Sequence, residues 1–259
     1  METDLLLRQY CKQLRLPALA AGYRHFAEDA ARENLTYERF LLALLEREVQ
    51  QRAANQEKRR LHQARFPVPY TLYSFDFSAI PQLNQTRVLE LAQGRWIDEH
   101  HNVILVGDIG TGKTHVGTAL AVAACRQGKS VRFFTAAGLV NQLLEAQEQH
   151  ALEKLLASLL RLDLIMLDEL GFLPLSSRSA QLLFQFCSER YLRGSLLITT
   201  NLTFDRWGDL LGDALLGAAL VDRLTHHCQI VEFRGQSHRF HQSLARLPDN
   251  ALPGPAKEA

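Results

Sequence analysis

A parallel α/β fold is predicted by three observations. Beyond Tyr70, short apolar runs alternate with amphipathic stretches, as strands joined by crossover helices require. The run Val103-Ile104-Leu105-Val106 passes directly into Gly107-Asp108-Ile109-Gly110-Thr111-Gly112-Lys113-Thr114, a glycine-rich loop of phosphate-cradling spacing. A later run, Leu164-Ile165-Met166-Leu167, ends in Asp168-Glu169, so two carboxylates arrive at the edge where open α/β sheets collect ligands.

Each element follows in chain order. Residues 4–63 read as helices: Leu5, Leu6 and Leu7 lead, Pro17 interrupts, and Asn34-Leu35-Thr36 offers a break with Thr36 as N-cap. Leu41, Leu42, Leu44 and Leu45 supply an apolar stripe to the last of these helices. Phe66-Pro67-Val68-Pro69 ends it, because proline disfavours helix at the residue before it. Five strands are expected, at 102–106, 131–134, 164–167, 196–199 and 229–233. Helices are expected near 113–126, 136–148, 151–160, 178–193 and 213–224; Glu148-Gln149-His150 separates the second and third. The division predicted is a helical module over 1–66 with a basic last helix, a nucleotide-binding domain over 67–245, and a disordered Pro- and Ala-rich tail over 246–259.

The phosphate loop carries specific chemistry. Its glycines admit backbone angles closed to other residues and turn N–H groups inward around phosphates. Lys113 reaches the β and γ oxygens, Thr114 ligates Mg²⁺, and the helix opening at Lys113 adds its positive end. Asp168 is expected to hold the same ion and Glu169 to polarise a water as general base. Asn201 closes a further apolar strand, Leu196-Leu197-Ile198-Thr199-Thr200, and is a candidate for orienting that water. Arg223 and Arg239 are candidates for stabilising charge on the γ-phosphate. Tyr70 to Phe77 is the segment expected to face the base. The alternative for a phosphate loop, a small-molecule kinase, is disfavoured because Glu169 suits water activation and no separate acceptor-binding segment is present.

With 47% hydrophobic residues and a formal net charge of +1, the chain is neither fibrous nor disordered as a whole. The charge is uneven. Between Gln50 and Arg65, Arg52, Lys58, Arg59, Arg60 and Arg65 face one carboxylate, Glu57, on a segment expected to be helical. Contact with a nucleic-acid backbone is one reading, a solvated helix face the other. Cys11, Cys125, Cys187 and Cys228 are far apart, which argues against a zinc ribbon or a disulfide framework and for reduced thiols. His226-His227-Cys228 lacks a second ligand pair of zinc spacing. No apolar stretch approaches ~18 residues and the N-terminus lacks the order of a secretory signal, so a cytoplasmic protein is expected.

Taken together, the phosphate loop followed by His115, Leu167 to Phe172, Arg190-Tyr191, Thr199-Thr200-Asn201, Phe204 to Trp207, Asp222-Arg223-Leu224 with His226-His227, and Gly235 to Arg239 resemble the IstB-type ATP-binding helpers of two-gene bacterial insertion sequences. Ala30 to Leu41 resembles the N-terminal helical module of the same family. The resemblance implies an AAA+ ATPase of the clade containing bacterial initiators and helicase loaders, with five parallel strands and an extra helix before the Asp-Glu strand. It implies ATP held by residues 107–115, Mg²⁺ at Thr114 and Asp168, Asn201 as sensor I, Arg223 as a finger entering a neighbouring subunit's site, and Arg239 as a sensor-II-like arginine. It also implies ATP-driven homo-oligomers on duplex DNA that stimulate a cognate transposase; a helicase loader is the alternative with the same core. Too few residues follow the last strand for a full C-terminal lid. Two positions depart from the pattern: Asp108 puts a carboxylate in the loop, and Gly117 puts a glycine in the following helix, at a cost of about 1 kcal/mol against alanine.

Overall fold

The computed structural model describes residues 2–172 and 175–235. The chain divides into two compact units between Arg59 and Arg60.

The first unit holds α1 (Glu2–Gln13), α2 (Pro17–Arg32) and the greater part of α3 (Tyr37–Ala64). Pro17 occupies the first turn of α2, where its missing N–H costs no helical bond. Thr36 caps α3 through its hydroxyl, which accepts from Arg39 N–H, and α3 stops short of the Pro67-Val68-Pro69 segment. Glu48, 3% exposed, accepts the N–H groups of Ala18 and Leu19 at 2.9 and 3.1 Å and so supplies the cap that Leu16 cannot give α2. Burial acts most strongly on its carboxyl, pushing the pKa up. The bonds from Leu19 and Ala18 and the guanidinium of Arg52 outweigh that, and the net shift is downward. Of the expected stripe Leu41, Leu42, Leu44 and Leu45, Leu44 is buried and the others are exposed.

The second unit is built on a five-stranded sheet: β1 (Asn102–Gly107), β2 (Val131–Thr135), β3 (Leu164–Leu170), β4 (Ser195–Thr200) and β5 (Cys228–Phe233). The order is β2-β3-β4-β1-β5 and every pairing is parallel. Helices joining successive strands are α6 (Lys113–Arg126), α7 (Ala136–Glu148), α8 (Leu152–Leu160), α9 (Ser177–Arg190), α10 (Trp207–Leu211) and α11 (Ala214–Thr225). All five expected strands are present, and so are the two helices between β2 and β3. Short helices α4 (Gln85–Leu91) and α5 (Arg95–Asp98) come before β1. They escaped the sequence reading because each is too brief to show a period, although Asn84 caps α4 by accepting from Arg87 N–H.

Both faces of the sheet are covered, which is why its strands read as unbroken apolar runs. Ile104, Ile165, Leu167, Leu196 and Ile198 point into a core shared with α7, α8, α9 and α11. Val103, Leu105, Leu164, Met166 and Leu197 point into the opposite core, shared with α6, α4 and α5. Each such side chain contributes roughly 1.5–3 kcal/mol on burial. Gly117 has a packing reason: a Cβ there would lie 2.8 Å from Met166 Cε and 3.4 Å from both Leu105 Cδ1 and Thr199 Cγ2. The propensity cost of glycine is accepted so that α6 can settle onto β1, β3 and β4.

The opposite end of the sheet is fastened by Arg190, 1% exposed. Its guanidinium donates to the carbonyls of Leu159, Leu162, Asp163 and Ser195 over 2.9–3.2 Å, joining α8 to the start of β3 and β4. Burial pushes its pKa down to about 10.

Candidate nucleotide-binding site

The phosphate loop connects β1 to α6. Gly112 precedes the helix with φ +87°, and a Cβ there would lie 2.7 Å from Phe75 Cε2, so both conformation and space demand glycine. The buried hydroxyl of Thr111 donates to Asp108 O at 2.8 Å and closes the turn. Lys113 Nζ donates to Gly107 O at 2.7 Å and to Asp108 O at 2.6 Å, which keeps the ammonium against the loop. Asp108 and Ile109 are exposed. The first-turn N–H groups of α6 open towards the same place, and a helix start with glycines before it is a ready anion site.

Two strand ends complete the floor. The expected strand at 164–167 runs on through Leu170, because the β3–β4 register slips between Leu167 and Leu170 and one extra residue is accommodated there. Glu169 takes φ +60° within this bulge, a conformation that costs a non-glycine residue about 1–3 kcal/mol. Adjacent acids therefore part company: Asp168 is 5% exposed while Glu169 is exposed and lines the cavity. Oδ1 of Asp168 accepts the Thr114 hydroxyl at 2.9 Å and the Thr199 hydroxyl at 2.6 Å. Thr199 in turn accepts the N–H of Glu169 at 2.9 Å.

Thr114, Glu169 and Thr199 border a cavity of about 800 Å³, within the size range of small-molecule sites. Lys113, Thr114, Glu169 and Asn201 stand on its phosphate-loop side, and Val68, Tyr70, Phe75 and Ile80 supply an apolar wall. His115 is also at the cavity, with Nε2 engaged by Ser74 Oγ and Thr71 O. Thr199 is the site residue that sequence reasoning missed. Its proximity to Asn201 was a clue, but the bond that makes it matter runs between strands.

Other candidates lie elsewhere. Arg223 donates to Ala219 O at 3.1 Å and holds its guanidinium carbon 4.7 Å from the centre of the Phe184 ring; it is absent from the cavity lining. Arg239 and the 246–259 tail lie outside the described residues. Arg52 pairs with Glu48 at 3.0 Å and also donates to Arg15 O, and Arg60 donates to Cys125 O at 2.7 Å. Lys58, Arg59 and Arg65 are exposed. Among the described residues no helix is long and apolar enough to cross a membrane.

The model of the IstB-like ATP binding protein family matches residues 9–245. An insertion-sequence IS5376 protein of Geobacillus stearothermophilus, named for ATP binding, is 35% identical over 236 residues, 91% of this chain and 94% of the relative. Its IS21 counterpart in Pseudomonas aeruginosa is 35% identical over 238 residues, 92% of this chain and 88% of the relative. Among solved structures, the replication initiator DnaA bound to AMPPCP and single-stranded DNA superposes with a TM-score of 0.53 at 21% identity, covering 68% of this chain and 54% of that one, a likeness of fold. The chain is thus an ATP-binding AAA+ protein, and it belongs to the IstB-like ATP binding protein family.

Proposed function

We propose that this chain is a DNA-stimulated ATPase that assembles on duplex DNA and helps a cognate transposase select and use its target. The observation that carries the hydrolytic part is the split of the acid pair: Asp168 buried against the Thr114 hydroxyl, Glu169 exposed at the cavity. Insertion-sequence relatives and the basic end of α3 support the DNA part.

In this reading, loop amides and Lys113 hold the β- and γ-phosphates. Thr114 and Asp168 offer a hydroxyl and a carboxylate 2.9 Å apart, hard oxygen donors on one side of a site, which suits Mg²⁺ with water and phosphate oxygens as its remaining ligands. The bound ion would neutralise phosphate charge. Glu169 accepts a proton from the attacking water, and Asn201 orients that water from the end of β4. Arg223 acts on the site of a neighbouring copy, since it does not line its own, and Arg239 serves as the sensor-II-like arginine. Arg52, Lys58, Arg59, Arg60 and Arg65 meet DNA phosphates. The assembly meets its cognate transposase in the bacterial cytoplasm.

The test is phosphate release by the purified chain with and without duplex DNA, together with its oligomeric state on DNA with a non-hydrolysable ATP analogue. Turnover raised by DNA and nucleotide-dependent oligomers are expected. A protein that stays monomeric and releases no phosphate would refute the proposal, and capture of a replicative helicase in place of a transposase would favour a loader.

A further inference from the structure

We propose that His115 is a positioning residue that carries the base-facing wall of the cavity, tying residues 70–75 to the first turn of α6 so that grip on the base depends on it. The inference rests on the cavity being the ATP site.

Four contacts converge on this one ring. It stacks on Tyr70 with centroids 4.3 Å apart and planes at 18°, and Phe75 meets it edge-on at 5.2 Å and 69°. Nε2 lies 3.2 Å from Thr71 O and 3.1 Å from Ser74 Oγ. Ser74 gives its own hydroxyl proton to Thr71 O at 2.8 Å, so both partners of Nε2 accept and that nitrogen carries the hydrogen. The bond therefore runs from the helix to the wall.

The wall needs such a fastening. Between Thr71 and Phe75 its backbone is a single 3-10 turn, Leu72–Ser74, with long bonds of 3.2 Å from Ser74 N and Phe75 N. Tyr73 is 98% exposed and anchors nothing. Phe75 reaches over Gly112, so the same segment that borders the apolar half of the cavity also covers the phosphate loop. His115 directly follows Thr114, and its imidazole is spent on the wall, leaving phosphates to the loop amides and Lys113. The structure thus assigns it a different job from a direct nucleotide contact: it sets where Tyr70 and Phe75 stand.

The test compares affinity for ATP with affinity for inorganic tripolyphosphate, both with Mg²⁺, in the full chain and in His115→Ala, His115→Gln and Ser74→Ala. For His115→Ala, ATP affinity is expected to fall at least tenfold and tripolyphosphate affinity to stay within twofold. Glutamine, whose amide can donate to Thr71 O, should recover part of the loss, and Ser74→Ala should show a smaller loss in the same direction. Amide hydrogen exchange over residues 70–77 should quicken in His115→Ala without nucleotide, a change that a phosphate contact would not produce. Equal loss of both ligands, unchanged ATP affinity, or unchanged exchange over 70–77 would overturn the proposal. Failure of the unaltered chain to prefer ATP over tripolyphosphate would instead overturn the ATP reading of the cavity.

Discussion

Thr199 donates a 2.6 Å hydrogen bond to Asp168 Oδ1 while its oxygen accepts the N–H of Glu169 at 2.9 Å. One hydroxyl on β4 thereby fixes both members of the acid pair on β3, and it holds Glu169 in a left-handed conformation that the residue would not adopt unaided. Thr199→Val keeps the shape and the γ-methyl against α6 and removes both bonds. Turnover is expected to drop at least tenfold with ATP affinity altered less than threefold, as for a residue that acts through others. Single-turnover phosphate release beside equilibrium binding measures this; parallel loss of both would show a general collapse of the floor.

Glu48 links pH to the stability of the N-terminal unit. Its folded pKa lies below the ordinary value of 4.5, so its stabilising contribution is present above about pH 4.5 and is lost as pH falls through the folded pKa. Glu48→Gln should flatten the acid limb of unfolding, and Glu48→Ala should lower stability by about 1–2 kcal/mol at pH 7, the scale of a lost helix cap. Denaturation followed from pH 7 to pH 3 tests both; an acid limb unchanged in Glu48→Gln would contradict them.

Arg190 holds carbonyls from α8, the start of β3 and the start of β4, using Nε and both terminal nitrogens. Lysine has one compact ammonium and cannot span them, so Arg190→Lys keeps the charge and still leaves buried carbonyls unpaired. A loss of about 1–3 kcal/mol is expected, the scale of a buried acceptor left unsatisfied. Thermal unfolding reads it, and a melting point within a degree or two of the parent would show that the cage is dispensable.

The proposed electrostatic grip on DNA should separate the basic residues of α3 and its end into two groups. Arg52, though itself exposed, already serves Glu48 and Arg15, and half-buried Arg60 serves Cys125, whereas Lys58, Arg59 and Arg65 are the remaining exposed cations of the segment. Alanine at each of the exposed three is expected to weaken duplex binding at every sequence and reduce the salt slope by about 1. Arg52→Ala should cost more in stability than in slope. Fluorescence anisotropy between low and moderate salt decides, and identical slopes for all variants would move the interface elsewhere.

How much of this was legible in the sequence depended on whether backbone or side chains set the feature. Gly112 marks the phosphate loop because its positive φ and the crowding Phe75 leave no substitute, and the runs at β1, β3 and β4 announce a sheet covered on both faces. The bulge at Glu169 left no such trace, since glutamate carries no signal for a left-handed backbone. His115 with Thr71 and Ser74, Thr199 with Asp168, and Arg190 with Leu159 are separated by 31 to 44 positions in chain, and only folding brings them together. Gly117 looked like a weak point of α6 until its contact with Met166 and Thr199 gave it a reason.

Arg223 offers the sharpest test of assembly. Its guanidinium rests on Phe184 and bonds to Ala219 O, away from the cavity that holds Glu169. If it completes a site, that site belongs to another copy. Glu169→Gln is expected to bind ATP with turnover reduced about 10²–10⁴-fold, the usual contribution of a positioned general base. Arg223→Ala should be similarly impaired, and less so in nucleotide affinity. Mixing the two inactive proteins lets a subunit with intact Glu169 sit beside one with intact Arg223, so part of the DNA-stimulated turnover should return. Recovery that rises with the mixing ratio to a maximum near equal amounts would establish shared sites. Without any recovery from variants that still form oligomers, Arg223 would be confined to packing on Phe184.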